Sequence, residues 1–180
     1  MFRSSAQRAT TIVAATVLLA AAIIAASWVR AETTASWREI PIVDARTGEA
    51  FTLAELEGKT VFVEPMATWC TTCRRQMTIL RDVVVERDPD GFAFVGLSVE
   101  TNLPSEDLAR YVDGQGFGWT FAVMTPELLR ALVDTFGRSV ANPPATPHVI
   151  IRPDGTWTEL STGIRSADEI SAALDAAASR

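Results

Sequence analysis

Beyond residue 37 the chain alternates short apolar runs with longer amphipathic stretches. Ile40-Pro41-Ile42-Val43-Asp44 leads into the turn Ala45-Arg46-Thr47-Gly48, and Phe51 and Leu53 follow, which predicts a small N-terminal hairpin and a helical turn over 53–56. Thr60 to Met66 is a nearly continuous apolar run behind Gly58-Lys59, the pattern of a strand buried on both faces. From Arg74 to Glu86, Met77, Leu80, Val83 and Val84 recur at helical spacing and give one apolar face. Asp88-Pro89-Asp90-Gly91 is a turn, and Phe92 to Val99 predicts a second buried strand. A helix begins at Pro104-Ser105-Glu106-Asp107 with Ser105 as its N-cap, buries Leu108, Tyr111 and Val112, and stops at Gly114, Gly116 and Gly118.

The second half continues the alternation. Trp119 to Met124 predicts a short strand, and Pro126 to Phe136 a helix with proline in its first turn and Gly137 just past its end. Asn142-Pro143-Pro144-Ala145-Thr146-Pro147 is too rich in proline for regular structure. Val149-Ile150-Ile151 predicts a strand, Arg152-Pro153-Asp154-Gly155 a turn, and Thr156 to Leu160 a strand returning as a hairpin. Ser166 to Ala178 closes the chain as a helix, with Ser166 and Glu169 forming a capping box. The order β-α-β-α-β-α-β-β-α predicts an α/β fold, a central mixed sheet flanked by helices.

The N-terminus adds a different element. Arg3 and Arg8 precede Ala9 to Val29, a run without charge and close to the roughly 20 residues that span a bilayer. It reads either as a signal anchor or as a signal peptide cut after Ala31, and its length favours the anchor. The two arginines keep the N-terminus in the cytoplasm, so everything past residue 31 is expected on the extracytoplasmic (periplasmic) side, with 32–37 as a linker and 38–180 as the folded domain. Residues 1–31 contain Arg3, Arg8 and Arg30 and no acid, so the remainder carries a formal charge of −9 against −6 for the whole chain. Such a domain repels nucleic acid, and DNA or RNA binding is discarded.

Compartment decides how the cysteines read. The chain has two, Cys70 and Cys73, and one histidine. Outside the cytoplasm a disulfide persists, but one that closes so short a loop contributes little to stability. Two cysteines and one histidine also fall short of a structural zinc site. A Cys-x-x-Cys pair between an apolar strand and an amphipathic helix points instead to redox chemistry. Cys70 at the helix start is the expected nucleophile, because the helix N-terminus favours its thiolate. Cys73, one turn on, is the expected resolving thiol.

Met66-Ala67-Thr68-Trp69-Cys70-Thr71-Thr72-Cys73, Thr146-Pro147, the Arg152-Pro153-Asp154-Gly155 turn and the extra helix between the second and third strands together resemble the thioredoxin fold. More narrowly, they resemble the TlpA/ResA-like group of membrane-anchored thiol-disulfide oxidoreductases. The resemblance covers roughly residues 38–178. Where that group often has proline between the cysteines, both residues here are threonine.

The resemblance implies that Glu64, six residues before Cys70, is a buried acid that moves protons during exchange, its pKa raised toward neutrality by burial. It implies that Pro147 is a cis-proline facing the cysteines, that Thr146 offers backbone hydrogen bonds to a substrate strand, and that Trp69 contacts substrate. The expected partners are exported proteins with disulfides, in cytochrome c or copper-centre maturation, and a membrane electron donor. No cofactor beyond the redox-active Cys70–Cys73 disulfide is expected. A second reading makes the domain a copper-binding chaperone with Cys70, Cys73 and His148 as ligands. A plainer one leaves His148 on a strand with its ring in solvent.

Overall fold

The computed structural model describes residues 36–179. The expected anchor over 9–29, the alternative cleavage site after Ala31 and most of the expected linker therefore lie outside the described residues. No helix among the described residues is long and apolar enough to cross a membrane.

Strands β1 (Ile42–Val43) and β2 (Ala50–Phe51) form the N-terminal hairpin, with Ile42 opposite Phe51 and Val43 opposite Ala50. A 3-10 turn, Leu53–Leu56, follows, with Thr52 and Glu55 as its capping box. The main sheet has four strands: β3 (Thr60–Met66), β4 (Phe92–Ser98), β5 (Thr120–Val123) and β6 (Val149–Ile151), in the order β5-β4-β3-β6. β3, β4 and β5 run parallel, while β6 is antiparallel to β3, so the sheet is mixed as expected. The helices are α1 (Thr71–Val85), α2 (Ser105–Gln115), α3 (Pro126–Phe136) and α4 (Ala167–Ala178).

Every residue of β3 is buried, as a strand covered on both faces must be. Because side chains alternate across a strand, Phe62 and Met66 pack on one face with Phe94, Phe121 and Ile150 beneath α1, α2 and α4. Val61 and Val63 pack on the other with Leu97, Val149 and Ile151 beneath α3.

The β3–β6 ladder is short for a covalent reason. It pairs Val61 with Ile151, Phe62 with Ile150 and Val63 with Val149. The backbones of His148 and Ile150 bond the segment 158–161 on the far side, so Val149 and Ile151 are the residues that face β3 in hydrogen-bonded pairs. The next such pair would join Pro65 to Pro147. Neither has an N–H, and the ladder ends there. This is also how a proline is tolerated in a central strand.

Three local expectations change. α1 begins at Thr71 rather than Arg74, because Cys70 itself caps it. Ser105 lies inside α2; Pro104 takes the N-cap position, with no side-chain cap bond. Thr156–Leu160 does not form a strand. It touches β6 through two isolated bridges, His148–Ser161 and Ile151–Trp157, three residues apart on β6 but four apart on the returning segment. The extra residue breaks the ladder as a bulge does, and the Thr158 hydroxyl accepts the Ile150 N–H instead.

Candidate functional site

β3 delivers the chain to a tight turn at 67–69, and Cys70 follows as the N-cap of α1. A sulfur does here what a serine or aspartate oxygen usually does: Cys70 Sγ accepts the Cys73 N–H at 3.1 Å. The cysteines are joined as a disulfide and are 3% and 0% exposed, whereas the neighbouring Trp69 is 63% exposed. When the pair is reduced, a thiolate on Cys70 keeps that N–H and gains the positive end of a helix of 15 residues, both of which favour the charged form.

Two contacts hold the turn and cover the sulfurs. The Glu100 carboxylate accepts from the Thr68 N–H at 2.6 Å and from the Thr68 hydroxyl at 3.0 Å, tying the turn to the residues just past β4. On the other side, Cys73 Sγ lies 3.1 Å from the Pro143 carbonyl oxygen. The Thr72 hydroxyl donates to the Pro144 carbonyl at 3.1 Å and lies 3.3 Å from Cys70 Sγ. Gln76, fully buried on α1, binds the main chain of Arg165 through both ends of its amide and fixes the approach to α4. No motif marks Glu100, Pro143 or Gln76. Their roles come from contacts between residues 32 to 89 positions apart.

Glu64 lies on the same face of β3 as Phe62 and Met66, the face that packs with both cysteines. It is 1% exposed, and neither carboxyl oxygen has a hydrogen-bond partner. Burial without compensation pushes its pKa from 4.5 up to about 8, so at neutral pH it holds its proton. Its opposite residue on β4 is Gly96, whose side-chain space is taken by the Phe121 ring; a Cβ on Gly96 would lie 2.2 Å from Phe121 Cε1.

The segment 143–147 differs from expectation. No peptide bond among the described residues is cis, so the Thr146–Pro147 bond is trans. The chain turns at Thr146 through a left-handed conformation, φ 46° and ψ 57°, after the 3-10 turn Pro143–Ala145. That conformation is costly for a β-branched residue and is held in place by its surroundings. The Thr146 N–H donates to Pro143 O at 2.7 Å, Thr146 O lies 3.2 Å from His148 Nδ1, and the side chain is buried. Both main-chain groups expected to meet a substrate strand are thus engaged within the chain.

His148 is 7% exposed, so its ring does not stand in solvent. It stacks on Phe62 at 5.1 Å between ring centroids, and burial lowers its pKa. Nor are His148 and the oxidised cysteine pair brought together as a group of ligands in this structure. Among the described residues no three His, Cys, Asp or Glu side chains stand close enough to hold an ion. The cysteine sulfurs are bonded to each other beneath the 143–144 carbonyls, while His148 is committed to Phe62 and Thr146.

Comparison with known proteins bears on this geometry directly. The Redoxin family matches residues 33–140, more than half of the chain. The chain is 28% identical over 122 residues to the thiol-disulfide oxidoreductase ResA of Halalkalibacterium halodurans, over 68% of this chain and 64% of that protein. It thus spans a little less than two thirds of that relative's length. The fold matches a thioredoxin family thiol:disulfide interchange protein of Chlorobium tepidum TLS with a TM-score of 0.63 at 27% identity, over 77% of this chain and 92% of that one. It also matches a secreted Mycobacterium tuberculosis disulfide oxidoreductase homologous to E. coli DsbE, with a TM-score of 0.58 at 22% identity, over 78% and 97%. The matched stretch takes in β3, the whole cysteine motif, α1, β4 and β5, and the chain therefore belongs to the Redoxin family, on the thioredoxin-like fold of its ResA-type members.

Proposed function

We propose that the protein is a thiol-disulfide oxidoreductase that reduces disulfides in exported proteins, tethered by its N-terminal segment with the domain on the extracytoplasmic side. The observation that carries this reading is the Cys70–Cys73 disulfide across the first turn of α1, with the Cys73 N–H on Cys70 Sγ.

In the reduced enzyme, the Cys70 thiolate attacks one sulfur of a substrate disulfide. The Cys70–substrate bond forms, the substrate S–S bond breaks, and the displaced thiolate takes a proton from water. Cys73 then gives its proton to the Glu64 carboxylate and attacks Cys70 Sγ. The enzyme disulfide forms and the second substrate thiolate leaves; two electrons have passed from enzyme to substrate. In the oxidised enzyme Glu64 is again protonated, the state its burial favours. When an external dithiol, fed by a membrane electron donor, reduces the pair, one of the thiol protons it gives up goes to Cys73, and Glu64 keeps its own until it is needed as a base. The resemblance to the TlpA/ResA-like group favours apocytochrome c haem-site thiols or cysteines of a copper-centre assembly protein as substrates. Exposed Trp69 is the side chain best placed to meet them.

Two measurements test the reading. A Cys73→Ser variant of the full chain should trap a mixed disulfide through Cys70 in the native compartment, and wild type should reduce insulin disulfides. Failure of both removes the redox function. The reduction potential sets the direction: a value near about −270 mV makes the enzyme a reductase, and one near about −120 mV an oxidant.

A further inference from the structure

Glu64 and His148 have complementary needs. Protonated Glu64 is a buried donor with no acceptor. The one partner of His148 Nδ1 is a carbonyl oxygen, that of Thr146, so Nδ1 carries the proton and Nε2 is left as an acceptor.

The sheet brings the two residues together. Val63 pairs with Val149 across the β3–β6 ladder, so the next pair along is Glu64 and His148. It falls between the bonded Val63–Val149 pair and the two prolines, and is a non-hydrogen-bonded pair, the kind in which opposed Cα atoms come to about 4.5 Å and side chains are closest. Both side chains lie on the same face, since Phe62 is two residues before Glu64 and the His148 ring stacks on Phe62. We propose that His148 is the proton partner of Glu64, taking the carboxyl proton on Nε2, directly or through one water, whenever Glu64 must become a carboxylate base for Cys73.

The surroundings support this assignment. On the β4 side Glu64 meets Gly96 and the Phe121 ring. α1 and α4 present Met77, Leu80, Ile170 and Leu174, all apolar, besides the cysteines. The charge felt at His148 is that of Arg165, which opposes a resident imidazolium. At rest the pair is therefore neutral, and the imidazolium–carboxylate form is transient. No net charge enters the core when the proton moves, which matters because burying an unpaired charge is far more costly than moving a proton within a pair. His148 also lines a cleft of about 250 Å³ against Ala173 and Ala177 of α4, a route by which the proton reaches water. His148 acts through Glu64 and not on the sulfurs, so it positions a proton. This inference rests on the disulfide-exchange reading above.

His148 is the chain's one histidine, so its imidazole resonances assign themselves. In the oxidised full chain in detergent, 15N-labelled at histidine, the imidazole shifts should inflect twice with pH, once below 6.5 and once near 8, where Glu64 titrates. Glu64→Gln should abolish the upper inflection. A single inflection in wild type, or an upper one that survives in Glu64→Gln, overturns the pairing. For the reaction, Glu64→Gln and His148→Gln should each slow mixed-disulfide resolution at least about 10-fold, and the double variant should be no slower than the worse single. Effects that multiply overturn the relay. A wild type that titrates in two steps but reduces no disulfide would instead remove the functional reading and leave the pairing standing.

Discussion

Along β3, Val61 and Val63 point to one face of the sheet and Phe62, Glu64 and Met66 to the other, and all five are at most 1% exposed. The first face is hydrocarbon, closed by Leu97, Val149 and Ile151 under α3. The second is just as dry but holds a carboxyl, a disulfide and, across the ladder, an imidazole. One strand thus separates a face that only stabilises from a face that gives up stability for chemistry. The difference is made by a few positions: glutamate among valines, glycine on β4 with the Phe121 ring drawn over it, and two prolines that end the ladder beside the carboxyl.

The largest effect expected from this contrast is on activity. Cys70→Ser should lower disulfide reduction at least about 1,000-fold, to the uncatalysed background, while Val63→Ala at the same strand depth should leave the rate per folded molecule unchanged. An insulin-reduction assay normalised to folded protein measures both. Loss of activity in Val63→Ala would mean that the two faces are not chemically separate.

Next comes the pH dependence of stability. The Glu64 carboxyl ionises near its ordinary 4.5 when unfolded and at about 8 when folded. Between those values the unfolded chain has released a proton that the folded chain keeps. The unfolded state binds fewer protons, so unfolding becomes easier as pH rises. The contribution is fully present below 4.5 and lost as pH climbs through about 8, a span on the order of 5 kcal/mol. His148, held below 6.5 by burial, pulls the other way: its contribution is present above 6.5 and is lost as pH falls through its depressed value. Urea midpoints of the oxidised protein should therefore fall from pH 6 to pH 9, and Glu64→Gln should flatten that limb while Val63→Ala lowers the curve without changing its shape. An unchanged slope in Glu64→Gln would place the titration elsewhere.

Packing substitutions should separate the faces by a smaller amount. Gly96→Ala puts a methyl group 2.2 Å from the Phe121 ring, and overpacking of that kind costs about 3 kcal/mol. Val63→Ala removes two methyl groups from a face that can partly close, about 2 kcal/mol. Because Gly96 lies directly beside Glu64, only Gly96→Ala should also move the pH limb described above. Chemical denaturation at pH 6 and pH 9 checks both.

How much of this was legible in the sequence follows from the range of each interaction. β3, α3 and α4 were readable because their signals are local: an apolar run, Pro126 with Gly137, and the Ser166–Glu169 box. The place of the cysteine pair is readable because a strand and a helix start flank it, whereas Glu64 stands out only through the resemblance to the TlpA/ResA-like group. The pattern over Thr156–Leu160 predicts a strand that does not form, because a one-residue mismatch decides a hairpin and the alternating pattern does not count residues across a turn. The conformation at Thr146 depends on the 3-10 turn before it and on His148 after it, and both depend on the folded surroundings. Glu100, which pins the turn before Cys70, is separated from Thr68 by 32 residues and carries no pattern at all. Contacts made across the fold decide details that the local spacing leaves free.

The smallest expected effect sharpens the contrast at the surface. Trp69 is the exposed large aromatic beside the disulfide, and nothing on either core face depends on it. Trp69→Ala should change stability by less than about 0.5 kcal/mol, as for other exposed positions. If the ring meets protein substrates, the variant should raise KM for a folded disulfide protein several-fold while leaving kcat and the reduction of a small disulfide alone, because contact area lost equally from ground and transition states appears in KM. A parallel loss on both substrates would mean instead that the indole shields the Cys70 thiolate, and would move Trp69 from the recognition surface to the chemistry of the buried face.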